Sequence, residues 1–231
     1  MKTRFDYYYN NVPNHGKCRN NLVYTSLISH DKKTFCQWYY NDINYHGGKN
    51  KVIDPQLMED KWRRELKFLL KMQKNFPQHV LKIIDIDYAS KKIYYQIQDV
   101  DFWELSRCSP SNYSNIVPNW DKQLLEIIQS HYTLNFFKFS LHPSSYFVID
   151  GKLKSINYFF CYSFLEPDLK IKNIFSHISE NRLNKLIPLM KRMDIDFTKP
   201  EPLHKIQMLA FETFKTDFPD YIMDKAKEIY V

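Results

Sequence analysis

Glycine is scarce: Gly16, Gly47, Gly48 and Gly151 are the only four in 231 residues. That scarcity excludes a glycine-rich phosphate cradle, because such loops rely on backbone conformations and close approaches that other residues resist. Cysteine is also sparse, and Cys18, Cys36, Cys108 and Cys161 are spread without CxxC spacing. The eight histidines never fall at a metal-ligand spacing such as HxxxH, and no apolar run approaches the length that spans a bilayer. The segment Met1-Lys2-Thr3-Arg4-Phe5-Asp6 has no apolar core of a secretory signal. A reducing, cytoplasmic setting without disulfides is therefore expected, in the host cytoplasm for a viral chain, and no membrane partner.

The chain also lacks a block of one charge sign. Lys and Arg total 33 against 26 Asp and Glu, a formal net charge of +7, yet the two signs are interspersed throughout. A mixed, solvated surface follows, and nucleic acid is not the expected partner, because single-strand binding needs an aromatic platform motif that is absent. What is abundant is aromatic: 17 Tyr and 17 Phe, in a chain 44% hydrophobic and 26% charged. The length suits one domain or two small lobes sharing a cleft, with an aromatic-rich core.

Two β-branched and aromatic runs, Leu22–Ile28 and Thr34–Tyr40, flank the polar turn Ser29–Lys33 and predict a β-hairpin. A loop containing Gly47 and Gly48 follows, then a helix over 56–74 with Trp62, Leu66, Leu69 and Leu70 on its inward face. Asn75-Phe76-Pro77 stops it. The runs Val80–Tyr88 and Lys92–Val100 predict a second hairpin about Ala89-Ser90-Lys91. Ser106–Asn119, with two prolines, reads as a loop or linker, and a helix beginning near Asp121 carries Leu124, Ile127, Ile128 and His131 on one side. Between Phe139 and Tyr162 two short strands flank the turn Ile149-Asp150-Gly151-Lys152, where Asp-Gly is what hairpin geometry selects. From about Ile171 the chain reads as helices broken at Pro188 and Pro200. The pattern gives an α+β fold: an N-lobe at 1–105 with a sheet and helix 56–74, a linker at 106–119, and a helical C-lobe at 120–231 with a hairpin at 139–160.

The segment Phe139-Ser140-Leu141-His142-Pro143-Ser144-Ser145-Tyr146, with its hairpin and Ile156-Asn157-Tyr158, resembles the catalytic and metal-binding stretch of the protein-kinase-like superfamily. It is most similar to the aminoglycoside and choline kinase branch, whose pattern runs H-G-D-L-H-P-x-N and then I-D-F or I-D-W. The resemblance spans roughly 11–165 and implies a two-lobed fold. Leu141-His142-Pro143 match the pattern and Ile156 precedes the metal aspartate position. The catalytic aspartate position, however, holds Ser140, the metal-ligand asparagine position Ser145, and the metal aspartate position Asn157. Phosphoryl transfer uses carboxylate and amide oxygens to hold magnesium and an aspartate to orient the attacking hydroxyl. Two hydroxyls and an amide do neither well.

Glu65 stands where the family's helix glutamate pairs with a strand lysine, but Phe35-Cys36-Gln37-Trp38-Tyr39 contains none. Arg64 or Lys67 could serve Glu65 instead; a solvated glutamate on a surface helix is the expectation. His15–Tyr24 is faintly similar to the branch's nucleotide loop and keeps one glycine. Ser140 and His142 lack an orienting third group, so His142 is expected to pack the loop rather than act as a base. Trp38-Tyr39-Tyr40 and Tyr158-Phe159-Phe160 are expected to pack as core, one form of which is a filled nucleotide pocket. The run His142–Phe147 also resembles short proteins of large tailed phages. The expectation is a catalytically inactive pseudokinase that binds a protein partner and needs no cofactor or metal, with at most weak ATP binding. Two alternatives stay open: an atypical active ATP-dependent phosphotransferase or nucleotidyltransferase of the same fold, and a basic nucleic-acid-binding or virion-associated structural protein.

Overall fold

A computed structural model describes residues 5–7, 24–29, 33–39, 55–97, 103–105, 108–139, 141–165, 180–196, 205, 208–210, 212, 218 and 220–230. The expected nucleotide loop at 15–23 and Pro200 lie outside them.

The first hairpin forms from β2 (Tyr24–Ser29) and β3 (Thr34–Tyr39), with β1 (Phe5–Tyr7) on the far side of β2. Helix α1 (Pro55–Asn75) follows, and β4 (Lys82–Asp87) and β5 (Lys92–Gln96) complete an antiparallel sheet of order β1-β2-β3-β5-β4. The second hairpin is thus shorter than its hydrophobic run, and residues 98–100 lie outside the described part. Edge strand β4 is blunted against further pairing: a register shift falls between Ile83 and Asp85, the Gln73 side chain accepts from Ile83 N, and Asp85 accepts from Ile86 N.

Helix α1 buries Trp62, Phe68, Leu69 and Met72, and Leu66 is half-buried. Leu70, expected on the inward face, is 40% exposed; the stripe is centred one position earlier, on Phe68 and Leu69, which take the room against Phe136.

Beyond β6 (Trp103–Glu104) the expected linker is structured. A 3-10 turn at Pro110–Asn112 leads into the short helix α2 (Tyr113–Ile116), and Tyr113 and Val117 are buried in the helical core. Pro110 opens the turn and Pro118 follows α2, and the Tyr113 ring packs edge-on against Trp120 at 5.0 Å. Helix α3 (Trp120–Thr133) then leads to β7 (Phe136–Lys138), β8 (Tyr146–Ile149), β9 (Lys152–Ser155) and β10 (Cys161–Ser163). Asp150 and Gly151 both have positive φ, +49° and +69°, as a two-residue turn of this kind requires. Gln123 of α3 donates to Gly151 O and accepts from Leu153 N, tying hairpin to helix. Helix α4 (Glu180–Arg192) runs through Pro188, which was expected to break it, and α5 (Asp220–Tyr230) packs on α3.

Strand β8 separates two cores by its period of two. Tyr146 and Val148 belong to the helical core, with Leu124, Ile127, Leu209 and Ile222. Phe147 belongs to a second core with Phe35, Tyr95 and Phe68 of the sheet and helix α1, joined by Phe136, Ile156, Tyr158 and Phe159 from the chain's second half. This inter-lobe core positions the candidate site.

Candidate functional site: a buried amide pair between the lobes

Ser145, Asn157 and Glu65 are brought together between the lobes; Ser140 lies outside the described residues. Ser145 and Asn157 become neighbours because Ile156 N donates to Ser145 O at 2.9 Å, while Ser145 N closes the preceding turn on His142 O at 2.8 Å. Both side chains are fully buried. His142 is buried too, as a packing residue of this turn. Asn157 has φ +64° and ψ +60°, a left-handed conformation that asparagine tolerates better than most residues.

The Asn157 side chain is engaged from the other lobe. Gln37 of β3 donates through Nε2 to Asn157 Oδ1 at 3.2 Å, and Gln37 Oε1 accepts from the Tyr95 hydroxyl at 2.5 Å. The strand residue that reaches the metal aspartate position is therefore a second amide. Gln37 Nε2 and Asn157 Oδ1 satisfy each other without a net charge, which lowers the cost of burying them.

These residues do not fit a magnesium ion. The cation takes hard, preferably anionic oxygens in near-ideal octahedral geometry, whereas Asn157 Oδ1 already accepts a hydrogen bond and Ser145 offers only a hydroxyl. Among the described residues no group of three or more His, Cys, Asp or Glu is placed to hold a metal ion.

Among the described residues Glu65 is the one carboxylate buried in this core, and it corrects the expectation of a solvated side chain: it is fully buried. Its Oε2 accepts from Phe159 N at 2.8 Å, so it anchors α1 to the segment after Asn157. Burial raises its pKa, opposed by the Tyr158 backbone, the Lys138 charge and the Tyr39 hydroxyl. Arg64, considered as its partner, turns instead to Cys161 O at 3.1 Å and stacks over Tyr162 at 4.6 Å. Lys67 lies exposed over Phe68.

Sequence reasoning missed Lys138. It ends β7, is buried, donates to Ser155 Oγ and Ile156 O, and lies 4.8 Å from the Tyr158 ring. Burial pushes its amine down to about 8, against the pull of Cys161 and Glu65. Lys61, one turn before Glu65, was missed as well. It is 4% exposed between Phe159 and Phe160, with ring centroids 5.5 and 5.3 Å away, and burial pushes it down to about 6. His131 Nε2 meets the Tyr158 hydroxyl at 3.3 Å, and burial holds its pKa well below the ordinary value. No local signal marks these groups, since an interior lysine reads in sequence like a surface one.

The arrangement can bind two lobes together through buried polar contacts such as Gln37–Asn157 and Phe159 N–Glu65. Among the described residues it presents no carboxylate beside Ser145 and Asn157 other than Glu65.

No protein-family model matches the chain, and no curated protein matches it. Among solved structures, the crystal structure of WbdD is similar over 89% of this chain and 48% of its own length, with 11% identity and a TM-score of 0.44; a co-crystal structure of WbdD with the kinase inhibitor LY294002 matches with the same figures. The Rio2 kinase-ADP/Mg2+-phosphoaspartate complex from Chaetomium thermophilum is similar over 90% of this chain and 66% of that one, with 10% identity and a TM-score of 0.44. The chain thus spans about half the length of the WbdD structures. The fold is α+β: an antiparallel five-stranded sheet interrupted by α1 between β3 and β4, then α3, the β8–β9 hairpin and further helices.

Proposed function

We propose that this chain is a catalytically inactive kinase-like protein, a pseudokinase, that acts by binding a protein partner. The observation that carries this reading is the hydrogen bond between Gln37 and Asn157. Two neutral amides hold each other where an active enzyme of this fold needs a lysine and an acid to grip phosphate and metal. Loss of one positioned electrostatic group typically costs about 100-fold or more in rate, and here the two aspartates of the pattern are replaced by Ser140 and Asn157 and its asparagine by Ser145. The proposal includes the division into an N-lobe to residue 105, a connecting segment and a C-lobe from 120, no required cofactor, and a cytoplasmic setting.

The test is magnesium-dependent transfer of radiolabelled phosphate from ATP, to protein or small-molecule acceptors, by the purified chain. No transfer above that of an Asn157→Ala variant is expected. Transfer that disappears in Asn157→Ala or Ser145→Ala would overturn the proposal in favour of an active enzyme.

A further inference from the structure

Alternate residues of a strand share a face, so Phe35, Gln37 and Tyr39 of β3 point the same way. Gln37 meets Asn157 and Tyr39 packs on Trp62 at 5.3 Å, which fixes that face as the one turned to the cleft and α1. Phe35 lies about 7 Å along the strand from Gln37. On the opposite wall, Phe147 lies two residues beyond Ser145. The two rings meet edge to face across the cleft, with centroids 5.2 Å apart and an interplanar angle of 61°. Tyr95 flanks Phe35 at 5.9 Å, and all three residues are at most 1% exposed.

A flat heterocycle held between two walls needs a van der Waals gap of about 3.5 Å on each side, roughly 7 Å in all. Rings in direct edge-to-face contact at 5.2 Å leave no such slot. An opening of about 380 Å³, lined by residues including Pro77, Val80, Gln96 and Ile149, contains none of Gln37, Ser145 or Asn157.

We infer that Phe35 and Phe147 occupy the space a nucleobase would take, so that the two lobes close on each other's rings and the cleft excludes purines. The inference deepens the inactive-cleft reading and rests on it for the location of the phosphate end. The two parts are separable, because the amides exclude the metal-phosphate and the rings exclude the base. The lobes are joined by the chain's own side chains, so closure requires no ligand.

The experiment follows the thermal unfolding midpoint of the wild type and of Phe147→Ala with adenine, with indole, and with magnesium tripolyphosphate, each at millimolar concentration. The wild type is expected to respond to none. Phe147→Ala is expected to have a lower midpoint that adenine or indole raises again by filling the vacated ring space. A wild-type midpoint raised by adenine, or a folded Phe147→Ala that responds to neither ring compound, overturns the inference. A wild-type response to magnesium tripolyphosphate alone would instead remove the inactive reading and leave the ring contact standing. Should Phe147→Ala fail to fold, Phe147→Leu, Phe35→Leu and the double variant replace it. Losses in midpoint that fall well short of additive support direct packing of the two rings, and simple additivity overturns it.

Discussion

The two cores of this molecule bury their residues by different means. The helical core is an apolar assembly: Tyr113 packs edge-on to Trp120, Trp120 stacks on Phe218 at 6.3 Å, and Leu124, Ile127, Ile222 and Ala226 fill the space between α3 and α5. The inter-lobe core has a comparable aromatic lining but encloses Gln37, Glu65, Lys138, Ser145 and Asn157 as well. Gln37 bonds to Asn157 across the lobes, Glu65 Oε2 accepts from Phe159 N, and Lys138 donates to Ser155 Oγ and Ile156 O. The polar interior lies between the lobes, where the proposed inactive reading sets amides and hydroxyls in the place of a metal-binding site.

If that contrast is right, removing one polar group from the inter-lobe core should do more damage than removing a larger apolar one elsewhere. Glu65→Ala leaves Phe159 N–H without its acceptor and Lys138 without its nearby acid, and should destabilise by about 3–5 kcal/mol in urea unfolding. Glu65→Gln retains an acceptor for Phe159 N and should cost much less; equal losses for the two variants would break the account of Glu65 as an anchor. Leu124→Ala in the helical core should cost about 2–4 kcal/mol, with no dependence on pH beyond that of the parent.

A third variant sharpens the comparison through charge. Asn157→Asp puts a carboxyl in a fully buried site, where its pKa must rise above the unfolded value near 4. A group with a raised folded pKa favours the folded state at low pH and loses that advantage as pH rises. The variant should therefore approach the parent below pH 4 and fall about 2 kcal/mol short near pH 7. Stability equal to the parent at pH 7 would contradict a closed, dry amide pair.

The smallest effect has the opposite sign. Lys61 is held at about 6, against 10.5 for an ordinary lysine. A lowered folded pKa means that its favourable contribution is complete above about 10.5 and is lost as pH falls toward 6, because the unfolded chain takes up a proton that the folded one refuses. Lys61→Met should then stabilise by about 1 kcal/mol at pH 7 and by progressively less toward pH 10. Chemical denaturation at both pH values decides it, and a variant less stable than the parent at pH 7 would show that the Lys61 amine contributes to stability.

Much of the framework was legible in the residues. The β-branched runs gave both N-terminal hairpins, Asn75-Phe76-Pro77 ended α1 within one residue of the expected place, and Asp150-Gly151 marked a turn whose two positive φ angles it satisfies. What was not legible is non-local. Gln37 and Asn157 are 120 residues apart, and nothing in β3 distinguishes Gln37 as the side chain that crosses the cleft. Glu65 looked like a solvated helix residue because burial is decided by what packs over it, here the segment after Asn157. Pro188 and the 106–119 stretch misled for a related reason: tertiary packing overrode local breaker signals, as the burial of Tyr113 and Val117 shows.

Isothermal titration of the wild-type chain with ATP, with and without magnesium, bears most directly on the claim that the space between the lobes is filled and that neutral side chains stand at Ser145 and Asn157. No heat of binding up to millimolar nucleotide is the expected result in both buffers. Saturable binding that requires magnesium and vanishes in Asn157→Ala would contradict it.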